Sequence, residues 1–428
     1  MLNIDYNSWN LPRFIYQARY EPTTIELIRN GVHSFVISEE FPEFTLDFLA
    51  SGFAEGFKGR SIIIGFNGAL SAKTIEKGSL PPYFSGIGLS KATGLPLFSV
   101  ADPTMALDRS ITMAWYAGNS YMPNLVEKIA GILDLVIHRL KANAILLGGS
   151  AGGFAALNVL SKMNANGVSV VCWNAQTSLS EYQINSVRKY LMAAYGIDRN
   201  DEPAFKDRRN FRLLLKNKYA HVPYSLPCVR TYKSTNQIIY LQNFSDKFHT
   251  VSHATRWLNE DEYEWLEDSL FLNKRKNIQF FLGNWGEGHI SPPLRELIGI
   301  IQSINDGAQF ESICSLHLSE YKRNANSDRS WLPSLGIMKD SVKWKVDRRE
   351  SSLSVEVSPK ENVGPVENFE YAFYLRSGKD VLDKKLYSSN SDAEFAIQEL
   401  ESRTVVVTVF LKDKFGAIRS VNSPPISI

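Results

Sequence analysis

The stretch Ile145-Leu146-Leu147-Gly148-Gly149-Ser150-Ala151-Gly152-Gly153-Phe154-Ala155-Ala156 decides how the chain is read. It opens as a short apolar run, passes through a block of small residues around one serine, and continues in a helical pattern. Where a buried strand turns directly into a helix, the two backbones approach closely, so the positions two before and two after the apex must be small. Gly148 and Gly152 occupy those positions around Ser150, giving Gly-x-Ser-x-Gly. A serine at such an apex is strained and exposed, and it faces a helix N-terminus, where backbone N–H groups favour developing negative charge.

A glycine-rich turn of this kind can also cradle a phosphate or a dinucleotide, but the spacing argues against both. A Gly-x-Gly-x-x-Gly begun at Gly148 meets Ser150 at its second glycine, and one begun at Gly149 meets Ala151 there. Gly148 and Gly153 have the glycine spacing of a Walker loop, yet Phe154 stands where that loop needs lysine. A glycine turn without chemistry stays open at this point, because the elbow alone is only moderately specific.

Outward from the elbow, residues 60 to 305 alternate short β-branched runs with helical patterns, as a parallel sheet covered by helices does. Strands are expected at 61–66, 95–100, 144–147, 168–173, 237–241 and 278–282, mostly continuous apolar runs suited to burial on both faces. Leu125, Ile129, Ile132, Leu133, Val136 and Leu140 recur at helical spacing and predict a helix packed by one stripe on the sheet. His138 within it reads as a surface or structural histidine. Residues 175–235 break the rhythm with Lys206, Arg208, Arg209, Arg212, Lys216 and Lys218. A helical cap is expected there, its cations forming a solvated face or holding an anionic part of a substrate. Residues 1–55, with the strand-like His33-Ser34-Phe35-Val36-Ile37-Ser38, are expected to add antiparallel strands to the sheet edge of a domain spanning 56–310.

Beyond a linker expected at 311–340 the pattern changes. Alternating runs at 354–357, 371–375 and 405–411, separated by turn-rich segments at 377–380 and 388–392, predict an all-β sandwich over 341–428. It resembles an immunoglobulin or fibronectin type III module, whose task would be to bind a protein or glycan partner or to pack on the core. There is no internal repeat.

A hydrophobic content of 44% supports full cores, and 47 Lys and Arg against 45 Asp and Glu leave a net charge of only +2. No long-range field favours nucleic acid or an anionic membrane. The opening Met1-Leu2-Asn3-Ile4-Asp5-Tyr6-Asn7 lacks a basic segment followed by an apolar one, and no stretch reaches about 18 uninterrupted apolar residues. A cytoplasmic protein without a transmembrane segment is therefore expected. Cys172, Cys228 and Cys314 fit neither a disulfide framework nor a zinc site, and Cys172 in its apolar run reads as a small core residue.

A serine nucleophile needs an acid and a histidine on turns after later strands. Gln242-Asn243-Phe244-Ser245-Asp246-Lys247-Phe248-His249 follows one strand and offers Asp246 as the orienting carboxylate. Gly283-Asn284-Trp285-Gly286-Glu287-Gly288-His289 follows the next, with His289 at the end of a glycine loop and before a helix. With elbow, acid turn and Gly-His loop in this order, residues 60 to 305 resemble the α/β-hydrolase superfamily. That resemblance implies that Ser150 attacks an acyl carbonyl, that His289 moves its proton to the leaving group, and that Asp246 fixes the imidazole tautomer. It requires no cofactor. The oxyanion hole is expected from the backbone N–H of Ala151 with that of Gly68 or Ala69 in the loop Gly65-Phe66-Asn67-Gly68-Ala69, Asn67 orienting the loop or donating directly. The lipase-type His-Gly-Gly-Gly is absent.

Four residues are candidates for contacting substrate: Asn67, Asp102, His249 and Trp285. Asp102 can equally cap the turn before Pro103, and Glu287 reads as a surface charge. His249 and His253 follow Asp246 at helical-turn spacing, but with no third ligand in view no metal site is assigned. Aromatics in Pro81-Pro82-Tyr83-Phe84-Ser85-Gly86, in Ala114-Trp115-Tyr116-Ala117-Gly118 and at Trp285 serve either as platforms for sugar rings or as core. With the appended sandwich, the Asp-Pro-Thr and Trp-Tyr-Ala-Gly segments are similar to those of hydrolase-like proteins of bacterial capsule biosynthesis and of the carbohydrate O-acetyltransferases of accessory secretion. The expected function is an esterase or O-acyltransferase working on a carbohydrate or surface glycan. The rival is a catalytically silent hydrolase-fold assembly factor in glycan biosynthesis or export, and a peptidase is a third reading.

Overall fold

The six apolar runs expected between residues 60 and 305 all form strands of one sheet in the computed structural model. It describes residues 2–17, 28–53, 61–197, 199–259, 261, 263–267, 269–322, 342–359, 369–398, 400, 403–413 and 418–428. The strands up to residue 283 are β1 (Arg13–Tyr16), β2 (Gly31–Val36), β3 (Thr45–Ser51), β4 (Ile62–Gly65), β5 (Leu97–Val100), β6 (Ala144–Gly149), β7 (Val168–Trp173), β8 (Gln237–Asn243), β9 (Tyr263–Glu267), β10 (Leu270–Asn273) and β11 (Ile278–Gly283). The chain divides into two compact units, Met1–Ala254 with Arg275–Lys322, and Thr255–Lys274 with Arg323–Ile428.

In the first unit the strand order is β1-β2-β3-β5-β4-β6-β7-β8-β11. From β5 to β11 along that order every pair is parallel, and β3 alone runs antiparallel to both neighbours, β2 and β5. This is the α/β-hydrolase arrangement, in which the progression of strand order reverses at β4 and the carboxyl ends of β4, β6, β8 and β11 share one crevice. The edge before residue 55 is only partly antiparallel, because β1 runs parallel to β2 with Arg13 opposite Val32. The chain between Tyr16 and Gly31 has the dozen or so residues that a parallel crossover needs.

Helices α1 (Ala72–Glu76), α2 (Ile87–Thr93), α3 (Leu125–Leu140), α4 (Ala151–Leu160), α5 (Ile184–Tyr195) and α6 (Arg208–Lys218) follow in chain order. In α3 the stripe Leu125, Ile129, Ile132, Leu133 and Val136 is buried, while His138 is exposed. Helix α4 carries no charged residue and is buried along its whole length, which fixes the first turn after Ser150 within the core. Cys172 and Cys314 are buried, Cys228 is exposed, and all three are free thiols.

The region 175–235 is helical, with α5, α6 and short 3-10 turns. Several of its cations are spent inside it. Arg212 pairs with Glu181 at 2.6 Å, Lys218 with Asp201 at 2.6 Å, and Arg208 Nη1 donates to the carbonyl of Ser180 at 2.8 Å. Lys206, Arg209 and Lys216 are exposed.

Two expected boundaries move. Residues Phe310–Tyr321 form consecutive helical turns instead of a linker, because Phe310, Ile313, Cys314 and Leu318 are apolar and buried. The rest of the expected linker, 323–340, lies outside the described residues. Thr255–Lys274, which carries the antiparallel hairpin of β9 and β10, groups with the second unit rather than the first.

The second unit continues with β12 (Val342–Arg348), β13 (Ser352–Pro359), β14 (Phe369–Ser377), β15 (Asp380–Ser388), β16 (Asp392–Ala396), β17 (Thr404–Asp413) and β18 (Ile418–Asn422). One antiparallel sheet is β12-β13-β16 and the other β15-β14-β17-β18. Period-two alternation turns Leu353, Val355 and Val357 of the first and Tyr371, Phe373, Val407 and Val409 of the second into one core. Among the described residues, no helix is long and apolar enough to cross a membrane.

Candidate active site

Ser150 caps α4 with φ 54° and ψ −119°, a conformation that side chains other than glycine rarely adopt. Its surroundings explain why the flanking residues are glycine. A Cβ on Gly152 would stand 2.5 Å from the carbonyl oxygen of Phe66, and one on Gly148 would run into the carbonyl of Gly152. The serine N–H donates to the carbonyl of Trp173 at 2.9 Å, and its own carbonyl accepts from Gln176 N at 3.2 Å, tying the apex to β7 and the segment after it.

The acid turn after β8 and the glycine loop after β11 meet. Asp246 Oδ2 lies 2.5 Å from His289 Nδ1, and Asp246 Oδ1 lies 2.9 Å from His249 Nδ1. Burial raises the carboxyl pKa of Asp246, but hydrogen bonds and charge from His249 and His289 outweigh it and hold the group well below the usual carboxylate range. The His249 ring stacks on His289 with centroids 4.1 Å apart. Burial, the largest effect, lowers the pKa of His249. Its Nε2 is buried without a hydrogen-bond partner. Asp246 is 6% exposed and His289 41%, so the pair runs from the interior to the surface.

Two residues that sequence spacing does not single out staple these turns. Asn243 Nδ2 donates to the carbonyls of Gly286 and Gly288 at 2.9 and 2.7 Å, while Ser245 Oγ donates to Gly286 O and accepts from Gly288 N at 2.7 and 2.8 Å. Trp285 adds a brace, its Nε1 donating to Ile290 O at 2.8 Å. Asn174 Nδ2 donates to the same carbonyl at 2.7 Å.

Ser150 and His289 line one cavity of about 800 Å³, together with Gly68, Leu147, Trp173 and Tyr182. Within it the Ser150 hydroxyl accepts a hydrogen bond from Gln176 Nε2 at 3.0 Å rather than bonding to His289. Gln176 is fully buried and its Oε1 accepts from Trp115 Nε1, so the amide is fixed from behind. Gln176 stands at the start of the segment 175–235, and no motif marks it.

The loop after β4 passes over the elbow. A Cβ on Gly68 would lie 3.0 Å from Gly149 O and 3.9 Å from Ser150 Cβ, and Ala69 also lines the cavity. The backbone N–H of Ala151 starts α4 directly after the serine. Asn67 is committed elsewhere, its N–H to Tyr116 Oη at 2.9 Å and its side-chain amide to the carbonyl of Tyr83.

Of the residues considered as substrate contacts, Asp102, His249 and Trp285 do not line this cavity, and neither does Asn67. Asp102 is buried and accepts from Thr104 N at 3.0 Å and Tyr116 N at 2.6 Å. It is a cap, and burial pushes its carboxyl up to about 6. Because Tyr116 then takes the Asn67 N–H, Asp102 supports the loop over the elbow from beneath. Trp115 and Tyr116 are each 1% exposed and belong to the core rather than to a sugar platform. Glu287 is exposed. Asp246, His249 and His289 offer possible metal-ligand atoms all within 4.8 Å of one another, the same atoms that bond to each other here. His253 is not among them, and its Nδ1 accepts from Thr177 N at 3.2 Å.

No protein-family model matches the chain, and no curated protein matches it. Among solved structures it is similar to a capsule O-acetyltransferase of Neisseria meningitidis serogroup A, at 19% identity and a TM-score of 0.35, covering 50% of this chain and 77% of that one. An S-formylglutathione hydrolase from Agrobacterium tumefaciens aligns at 15% identity and a TM-score of 0.33, over 65% of this chain and 92% of the other. A glycosylation-associated protein (Gap123) complex from Streptococcus agalactiae aligns at 16% identity and a TM-score of 0.31, over 47% of this chain. There the chain spans 35% of the length of the other. The α/β-hydrolase architecture rests on the strand order and the elbow, not on these likenesses.

Proposed function

We propose that the protein is a serine-dependent acyl-transfer enzyme, an esterase or O-acyltransferase, acting on O-acylated carbohydrate. The observation that carries this reading is the 2.5 Å Asp246–His289 pair at a cavity into which the strained elbow also presents Ser150. In the reaction Ser150 Oγ attacks the acyl carbon, and His289 takes the hydroxyl proton through Nε2 while its Nδ1–H stays on Asp246. The bond from the acyl carbon to the leaving alcohol oxygen then breaks, and His289 returns the proton to that oxygen. Water, or a second hydroxyl in the transferase case, attacks the acyl-enzyme with the same base and releases Ser150. The developing oxyanion is assigned to the N–H groups of Ala151 and Gly68, with Ala69 the alternative to Gly68. The acyl oxygen needs no metal in this scheme, and the substrate class is supported by the Ser71, Ser85, Ser291, Trp173 and Tyr182 lining of the cavity.

A tagged fluorophosphonate tests the reading. It should label Ser150 in the folded protein and leave Ser150→Ala unlabelled, and turnover of p-nitrophenyl acetate should vanish in the variant. Equal labelling of both proteins would refute it. The silent assembly-factor reading draws on one observation, the Ser150 hydroxyl bonded to Gln176 instead of His289. It predicts no adduct even in Gln176→Ala, whereas the enzymatic reading predicts labelling of that variant.

A further inference from the structure

A second cleft, of about 630 Å³, shares Gly68, Ala69 and Ser71 with the first cavity, so the loop over the elbow is a wall common to both. Its volume falls within the range of about 300–1,000 Å³ usual for small-molecule sites. Trp9 and Tyr83 line it as half-buried rings. Both have their polar atom tied to backbone, Trp9 Nε1 to Pro82 O at 2.9 Å and Tyr83 Oη to Ser79 O at 2.7 Å. The Trp9 ring is further held edge-on against Phe84 with centroids 5.0 Å apart. Rings fixed in this way offer flat apolar faces at little entropic cost.

The rest of the lining mixes apolar residues such as Leu70, Leu80 and Pro82 with polar ones. Asp5, Ser8 and Thr74 provide acceptors and hydroxyls, and Lys77 is the one cation among the described lining residues. A ligand suited to the cleft has an apolar face to lie on a ring and hydroxyls around its rim, with at most one negative charge. An acyl chain would leave the polar groups unpaired, and a polyphosphate or nucleic acid would need more cations. A pyranose has both features, since its axial C–H bonds form an apolar face and its equatorial hydroxyls point outward.

We propose that this cleft binds a pyranose ring, the sugar whose hydroxyl carries or receives the acyl group, with the acyl end reaching Ser150 past Gly68. The assignment of that sugar to the acyl-transfer reaction rests on the function proposed above, but pyranose binding does not. Binding is therefore read on the full chain carrying Ser150→Ala, by saturation-transfer NMR with methyl glucoside, methyl N-acetylglucosaminide and methyl glucuronide. The expected result is transfer to the ring C–H protons of at least one of them. Adding Trp9→Ala should weaken that binding about tenfold, the loss of one ring contact, with a wild-type far-UV circular dichroism spectrum, and Trp9→Phe should preserve it. Lys77→Ala should weaken the glucuronide more than the glucoside. Absence of transfer to all three pyranosides, or transfer unchanged by Trp9→Ala, would overturn the proposal. The fluorophosphonate adduct on Ser150 stands or falls separately.

Discussion

Substituting Gly152 by alanine should separate stability from catalysis. The new Cβ would lie 2.5 Å from Phe66 O and 3.0 Å from the carbonyl carbon and oxygen of Asn67, all backbone. Relief requires the loop after β4 to retreat from α4 by roughly 1 Å, since α4 is buried throughout and cannot move. Such crowding costs about 1–3 kcal/mol. Alanine regains about 1 kcal/mol of helix propensity over glycine, so the net loss of stability is about 0–2 kcal/mol, at most a few degrees in Tm. The same retreat carries Gly68 away from Ser150, and misplacing a catalytic group by about 1 Å costs roughly a hundredfold in rate. Gly131→Ala is the control: it lies mid-helix in α3 with nothing within 4 Å of its Cβ, and it should gain about 0.5–1 kcal/mol with unchanged kinetics. Differential scanning calorimetry and p-nitrophenyl acetate kinetics on both variants provide the assay. Wild-type kcat in Gly152→Ala would refute the assignment of the loop to the oxyanion hole. A Gly131→Ala variant as damaged as Gly152→Ala would refute the contact geometry itself.

His249→Phe keeps a ring against His289 but deletes the 2.9 Å bond to Asp246, and it also removes the unpartnered buried Nε2. The two effects offset only in part, so urea denaturation should show a loss of about 1 kcal/mol. Asp246 then becomes more basic toward His289, and the acid limb of the kcat/KM profile should move to higher pH; a profile identical to wild type would deny His249 any hold on Asp246. Asn243→Ala breaks both bonds to the Gly286 and Gly288 carbonyls, so kcat should drop at least tenfold and the loop 284–290 should become sensitive to limited proteolysis. For Asp102 the folded pKa of about 6 exceeds its ordinary 3.8, so its contribution to stability is fully present below the latter and lost as pH rises through the former. Asp102→Asn should therefore trail wild type by more at pH 5 than at pH 7, the difference being about 1 kcal/mol, and a gap independent of pH would contradict the raised pKa.

The parallel sheet was legible because its strands are buried on both faces and therefore read as unbroken apolar runs, from Ile62 to Phe281. The elbow was legible because close approach admits only glycine at 148 and 152. Asp246 and His289, which meet in the structure, stand out in the sequence by their place after the apolar runs of β8 and β11. Gln176, Asn243, Ser245 and Asn174 could not, since a buried amide or hydroxyl acts through partners far away in sequence and leaves no periodic trace. Asp102 and Asn67 were open to two readings for a related reason: a polar residue at a strand's carboxyl end can face the crevice or the backbone beneath it, and here Tyr116 bonds to both. The hairpin at 263–273 and the helical turns at 310–321 were missed because short apolar segments fit strand, helix and linker alike.

The staple formed by Asn243 and Ser245 makes the acid turn and the histidine loop one mechanical piece. For the proposed chemistry, Asp246 and His289 need not find each other in each catalytic cycle. What remains is for the Ser150 hydroxyl to exchange its bond to Gln176 for one to the imidazole. Closing a loop takes microseconds or longer, and a preassembled acid–base pair spares the enzyme that step in every turnover.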